Sequence, residues 1–276
     1  MNVKIVADSS ANLPALAGIA YASVPLKIVT DEKEYVDDAT LNTEQMICEL
    51  EAYKGRSGTS CPSVGDWLEA FGDAEYVFTV AITSNLSGAH NAAVQAKEVY
   101  EEQHPGRRVC CLDSLSTGPE MVLIAEKLRE LVDAGLDFDT TEAQVREYMK
   151  KTHLLFSLES LENLAKNGRV SKVVAKAAGI LGIRIVGKAS DVGTLQQMHK
   201  CRGEKKALAT ILEEMEKHGF TGGKVRIAHG LNENGAKEML KVIRAAYPNI
   251  EATIVPFTGL CSFYAERGGI MVGFEG

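Results

Sequence analysis

The stretch "YVFTVAITSNLSGAHNAA", residues 76–93, decides the fold class. Its first half is an unbroken apolar, β-branched run of strand length, which reads as a strand buried on both faces. Small polar residues follow, and then a run of good helix formers with Ser87-Gly88 at the join. Strand, short polar turn and helix in that order form the unit from which parallel sheets are built.

The same rhythm extends to either side. Upstream, "NVKIVADSS" is a short strand ending in a cap signal, and "ASVPLKIVT" and "KEYVDD" are further strands. Helical periodicity covers 42–53 and, after a "TSCPS" loop, 63–72; the helix that begins at Ser87 runs to about Gln103. Downstream come the strand "RRVCCLDS", a helix from Pro119 to about Ala134 and another over 139–151. The expectation for residues 1–150 is an α/β domain with a mostly parallel sheet flanked by helices.

Beyond residue 150 the pattern changes. A strand, a helix, a Gly-Arg turn and a second helix ("VVAKAAGILGI") occupy residues 153–183. "RIVGKAS" and "GTLQQMHK" read as a hairpin, and strands and helices then alternate to the terminal strand "GGIMVGFE". Residues 151–276 therefore read as a C-terminal α+β domain with a mixed or antiparallel sheet.

Composition narrows function. The 276 residues carry 37 acidic against 30 basic side chains, a net charge of −7, with no Lys/Arg block. That balance disfavours nucleic-acid binding. Six cysteines without Cys-x-x-Cys spacing read as small buried hydrophobes, and scattered histidines give no metal pattern. With neither a signal peptide nor a long apolar span, the expected location is the cytoplasm. A nucleophile elbow and a dinucleotide fingerprint are both missing, so no cofactor is expected. "GIRIVGKA" approaches a P-loop, but Ala189 stands where the magnesium-binding hydroxyl belongs. Asp8, Asp37, Asp38 and Asp113 read as loop-end caps rather than a metal cluster.

Three stretches share one chemistry. "GTSCPS" (58–63) puts two hydroxyls just ahead of Pro62, with Ser63 as a helix cap. "TSNLSGAH" (83–90) puts Ser87-Gly88 between a strand end and a helix, and "NGRVSK" (167–172) puts Arg169 at a tight turn with Ser171 capping a second helix. Hydroxyls, helix N-termini and a guanidinium all favour an anion, and strand ends are where α/β sheets place ligands. Each stretch alone reads as an ordinary cap. An acyl hydrolase or transferase using Ser87, with His90 as its base, and a small-anion sensor are the alternatives.

In combination, "ADSSANLP" (7–14), "TSCPS", "ITSNLSGAHNAA", "CLDSLSTG" (111–118), "LESLENLAKNGRVSKVVAKAAGILGIRIV" (158–186) and "AHGLNENGAKEM" (228–239) make the whole chain resemble the DegV family. The resemblance implies two α/β domains with a long-chain fatty acid between them and no catalysis by this chain. It also implies a partner, the ATP-binding subunit of bacterial fatty acid kinase. Carried over, Thr59 and Ser87 would hydrogen-bond the carboxylate, with the Gly88 amide beside it, Ser60 a neighbouring candidate and Arg169 in support. The "VVAKAAGILGI" helix would wall part of the acyl tunnel. Ala265 stands where the family has a histidine and Arg267-Gly268-Gly269 where it has Gly-Pro-Gly, with Glu266-Arg267 as candidate substitutes for the missing side chain.

Overall fold

The computed structural model describes residues 2–171 and 182–276. The strand of the opening stretch is β6 (Tyr76–Ala81), and it lies where an apolar run belongs, inside a sheet. β1 (Val3–Asp8) pairs with it in parallel; β2 (Ala20–Val24) and β7 (Arg108–Asp113) complete the parallel order β2-β1-β6-β7. Helices α2 (Val64–Phe71), α3 (Ala89–Gln103), α4 (Pro119–Asp133) and α5 (Phe138–Met149) follow as the periodicity predicts. Their apolar faces share one core with the sheet, including Trp67, Phe71, Ala93 and Leu128.

A small antiparallel sheet sits beside it, formed by β3 (Lys27–Thr30), β4 (Glu34–Val36) and β5 (Ser57–Ser60), with α1 (Thr43–Ala52) nearby. Here the structure corrects the sequence reading: Thr59 and Ser60 are not in a loop. They pair with β3, Thr59 opposite Ile28 and Ser60 opposite Lys27. A run of Ser, Gly and Thr carries little strand signal of its own, and its pairing is decided by a partner about thirty residues away.

The second domain is a six-stranded mixed sheet in the order β10-β9-β8-β13-β11-β12. Its strands are β8 (Thr152–Leu158), β9 (Ile183–Ala189), β10 (Leu195–Arg202), β11 (Lys224–His229), β12 (Glu251–Pro256) and β13 (Ile270–Glu275). Only β11 and β12 pair in parallel; the other ladders are antiparallel, and β9-β10 is the expected hairpin. Helices α7 (Glu204–Lys217) and α8 (Glu233–Ala246) cover one face, packing on Leu155, Val186 and Val225. The other face presents Leu154, Phe156, Leu158 and Ile185 together with α6 (Glu162–Lys166) and α9 (Gly259–Ala265). Period-two alternation along β8 thus sends its even-numbered leucines and Phe156 toward the first domain. The "VVAKAAGILGI" helix lies, but for its last two residues, outside the described residues.

The four aspartates are caps. Asp8 accepts from the Ser10 amide (3.1 Å) and the Ile82 amide (2.7 Å). Asp37 accepts from the Gly259 (2.5 Å) and Leu260 (2.9 Å) amides, fixing the start of α9 to the first domain. Asp38 accepts from the Thr40 amide, and Asp113 from the amides of Ser84 and Leu115.

Candidate functional site

Between the two domains lies a cavity of about 770 Å³ including its opening to solvent. Its body is apolar: Leu26 and Ile82 of the first domain line it together with Leu154, Phe156, Leu260 and Met271 of the second. Its polar lining includes Thr59, Ser87, Arg169 and Tyr264. Three segments far apart in sequence therefore meet at one cavity.

Close backbone approach brings them together. A Cβ on Gly88 would stand 3.1 Å from Cys61 Sγ, and one on Gly58 would stand 3.2 Å from Asn167 Oδ1. A Cβ at either position would require that side chain to give by a few tenths of an ångström. Arg169 Nε donates to the Leu86 carbonyl (3.3 Å) and Nη1 to the Asn167 carbonyl (2.7 Å), so the guanidinium is held by backbone on two sides.

The donors have hydrogen atoms to spare. Ser87 Oγ accepts from the Ala89 amide at 3.3 Å, which leaves its own proton for another acceptor. Thr59 Oγ1 and Tyr264 Oη lie 2.7 Å apart. Two hydroxyls sharing one hydrogen bond use one of their two protons, so one remains. Arg169 forms no ion pair among the described residues, and 172–181 ("KVVAKAAGIL") contains no acidic side chain. Its guanidinium instead sits 5.7 Å from the Tyr264 ring centroid. A half-buried cation without an anion beside two spare hydroxyl protons has the chemistry to hold an anion. Burial raises the Tyr264 pKa, opposed by the Thr59 hydrogen bond and the Arg169 charge, so the phenol stays protonated as a donor.

Not every predicted residue arrives. Ser60 is exposed and absent from the cavity lining, because strand alternation turns it away when Thr59 turns in. Gly88 precedes α3, its carbonyl accepting from the Ala92 amide (3.0 Å), but the residue is exposed and outside the lining. Ala265 is fully buried and does line the cavity. Glu266 does not take the family histidine's place: its carboxylate accepts from Ser160 Oγ (2.9 Å) and the Asn163 amide (3.1 Å), where it caps α6. Nor does Arg267, which pairs with Glu51 at the surface (3.0 Å). Tyr264 escaped the sequence reading. Its helical spacing from Leu260 and Cys261 marks the inward face of α9, but its hydroxyl partner is 205 residues away in sequence.

No His-Ser pair accompanies Ser87: its hydroxyl partner is a backbone amide, and His90 is outside the cavity lining. Among the described residues no group of His, Cys, Asp and Glu is arranged to hold a metal, and no helix is long and apolar enough to cross a membrane.

Comparison with known proteins bears on the family and the fold. The family model described as "Uncharacterised protein, DegV family" matches residues 2–275. A DegV domain-containing protein of Streptococcus pneumoniae is 43% identical, over 100% of this chain and 99% of its own. Two crystal structures superpose with a TM-score of 0.97. One is a DegV family protein from Eubacterium eligens loaded with heptadecanoic acid, 45% identical and covering 99% of both chains. The other is the fatty acid kinase B3 protein of Streptococcus pneumoniae loaded with linoleic acid, 42% identical and covering 100% of this chain and 99% of its own.

Proposed function

The chain belongs to the DegV family, and on that premise we propose that it binds one long-chain fatty acid without transforming it. The observation that carries this reading is the unpaired Arg169, set beside the spare protons of Ser87 and the Thr59–Tyr264 pair at an otherwise apolar cavity. The carboxylate lies among those donors and the acyl chain lies along β8. The two loaded relatives, each bound to a long-chain fatty acid, support the same class of ligand.

Magnitudes divide the labour. Burying about 14 methylenes at ~0.8 kcal/mol each contributes on the order of 11 kcal/mol before ordering costs. The chain supplies affinity. The head site keeps a buried carboxylate from being stranded, which would cost several kcal/mol. Ser87 acts as a donor to the carboxylate rather than as a nucleophile, since no base is hydrogen-bonded to it. The same arrangement suits presentation of a held carboxylate to the ATP-binding subunit of a fatty acid kinase, a partnership tested by phosphorylation of the bound lipid when that subunit is added.

Native mass spectrometry of the purified protein tests the binding reading. The expected spectrum carries one fatty acid per chain, or gains one on incubation with oleate or palmitate. A protein that arrives empty and refuses both contradicts the reading. The folded double variant Thr59→Ala/Ser87→Ala is expected to bind about 100-fold more weakly or worse, two charge-assisted hydrogen bonds being lost.

A further inference from the structure

The cavity has a second end. Leu158 lies near the head site: a Cβ at Gly269 would stand 3.1 Å from Ala265 Cβ and 3.2 Å from Leu158 Cδ2, and Ala265 adjoins Tyr264. Leu154, on the same face of β8, is four residues back, roughly 13 Å along an extended strand. β9 runs antiparallel beside it, Leu155 opposite Lys188, which sets Ala189 next to Leu154. Leu154 and Ala189 line the cavity, and they also line a second cleft of about 1070 Å³ including its opening to solvent. That cleft is different in kind. Arg146, Lys150, His153 and Asp191 line it beside Leu115 and Met149, together with Glu120, a residue only 6% exposed.

We propose that Leu154 and Ala189 are the end wall of the acyl site and set the length of fatty acid that this protein prefers. The inference rests on the fatty-acid reading. Each methylene added within the cavity strengthens binding, roughly fourfold by its transfer from water. A methylene driven past the wall enters a cleft lined largely by charged and polar side chains, where it displaces their water and gains less apolar contact than inside the cavity. Affinity therefore climbs with chain length until the methyl end meets Leu154 and Ala189, and falls beyond.

The test is competition among saturated fatty acids of about 10 to about 20 carbons, read by native mass spectrometry as relative occupancy, each carbon being worth roughly fourfold below the wall. Wild type is expected to show a maximum. Ala189→Leu brings the wall inward and should move that maximum to shorter chains by about two carbons, the reach of a leucine side chain beyond a methyl. Leu154→Ala opens the wall and should move it to longer ones. Leu154 is a core residue, 4% exposed, whereas Ala189 is half-buried at a strand end. Ala189→Leu therefore decides the matter where Leu154→Ala fails to fold. A wild type with a clear maximum that folded Ala189→Leu leaves unmoved overturns the wall alone. A wild type that takes up no fatty acid of any length overturns the binding reading and the wall with it.

Discussion

At the scale of single residues, the head site turns on which hydroxyl protons are already committed. Tyr264→Phe keeps the ring against Phe263 and under Arg169 and removes only the oxygen that Thr59 meets at 2.7 Å. Thr59 then loses its orienting partner. Fatty-acid affinity should fall about 5- to 10-fold, the worth of one hydrogen bond, with little change in melting temperature; displacement of a fluorescent fatty acid measures it. Unchanged affinity would mean that Thr59 needs no such partner. A second buried group acts on stability instead. Desolvation raises the Glu120 carboxyl to about 7 from its ordinary 4.5, despite the hydrogen bond it accepts from Thr152 Oγ1 at 2.9 Å. Between those two values the folded protein keeps a proton that the unfolded chain has released. This contribution to stability is therefore full below pH 4.5 and is lost as pH rises through about 7. Glu120→Gln keeps the shape and has no proton to lose. Denaturant titrations should show variant and wild type nearly equal near pH 4.5, and the variant more stable at pH 8 by on the order of 2–3 kcal/mol. Asp8, raised to about 6 by burial, slopes the same way in both proteins and cancels in the difference.

At the scale of elements, the β9-β10 hairpin reaches out of its own domain. Its tip is held on the loop that carries Ser87: Asn85 Nδ2 donates to the Val192 carbonyl at 2.6 Å. Gly193, at φ +74°, is so close that a Cβ would stand 2.1 Å from Thr83 Oγ1 and 3.0 Å from Leu115 Cα. Gly193, Thr194 and Leu195 also line the cavity. Gly193→Ala combines a disfavoured backbone with a steric clash, so it should lower stability by about 2–4 kcal/mol and weaken fatty-acid binding. Asn85→Ala, which removes one exposed hydrogen bond, should cost under about 1 kcal/mol. A Gly193→Ala protein as stable as wild type would show that the tip does not bear on the loop. This hairpin, like β6-α3 and the capped α2, was legible in sequence because its signals are local: alternation, a Gly turn, a Ser63 capping box with Asp66. β5 was not legible. Its Ser-Gly-Thr-Ser has no alternation, and only the register against β3 turns Thr59 inward and Ser60 outward.

At the scale of the whole molecule, the same contrast governs the site. Thr59, Ser87 and Arg169 stand in short stretches whose chemistry can be read in place, whereas Tyr264 matters only because α9 folds back against the first domain, anchored there by Asp37. The seam that encloses the cavity is fastened on its other side by ion pairs from α4. Arg226 on β11 grips Glu126 with Nε (3.0 Å) and Nη2 (2.7 Å) and also reaches Glu251, while Lys224 meets Glu130. Arg226 is 5% exposed and Glu126 is well covered, so this contact is screened far less than a surface pair. It joins the two domains, and none of its side chains lines the cavity, which makes it a structural bond rather than a part of binding. Arg226→Met fills the space but leaves Glu126 without its partner. Exposed Glu251 can return to water, so the expected loss is about 2 kcal/mol, below that for a fully buried pair. Because the lost contact lies between domains, unfolding should also become less cooperative. Calorimetry should broaden the single wild-type transition or split it in two, while fatty-acid affinity at temperatures below the transition stays within about twofold of wild type. An intact sharp transition would mean that apolar packing of α4 on β13 and β11 holds the domains together without the ion pair. A large loss of affinity would mean that the seam and the cavity move as one.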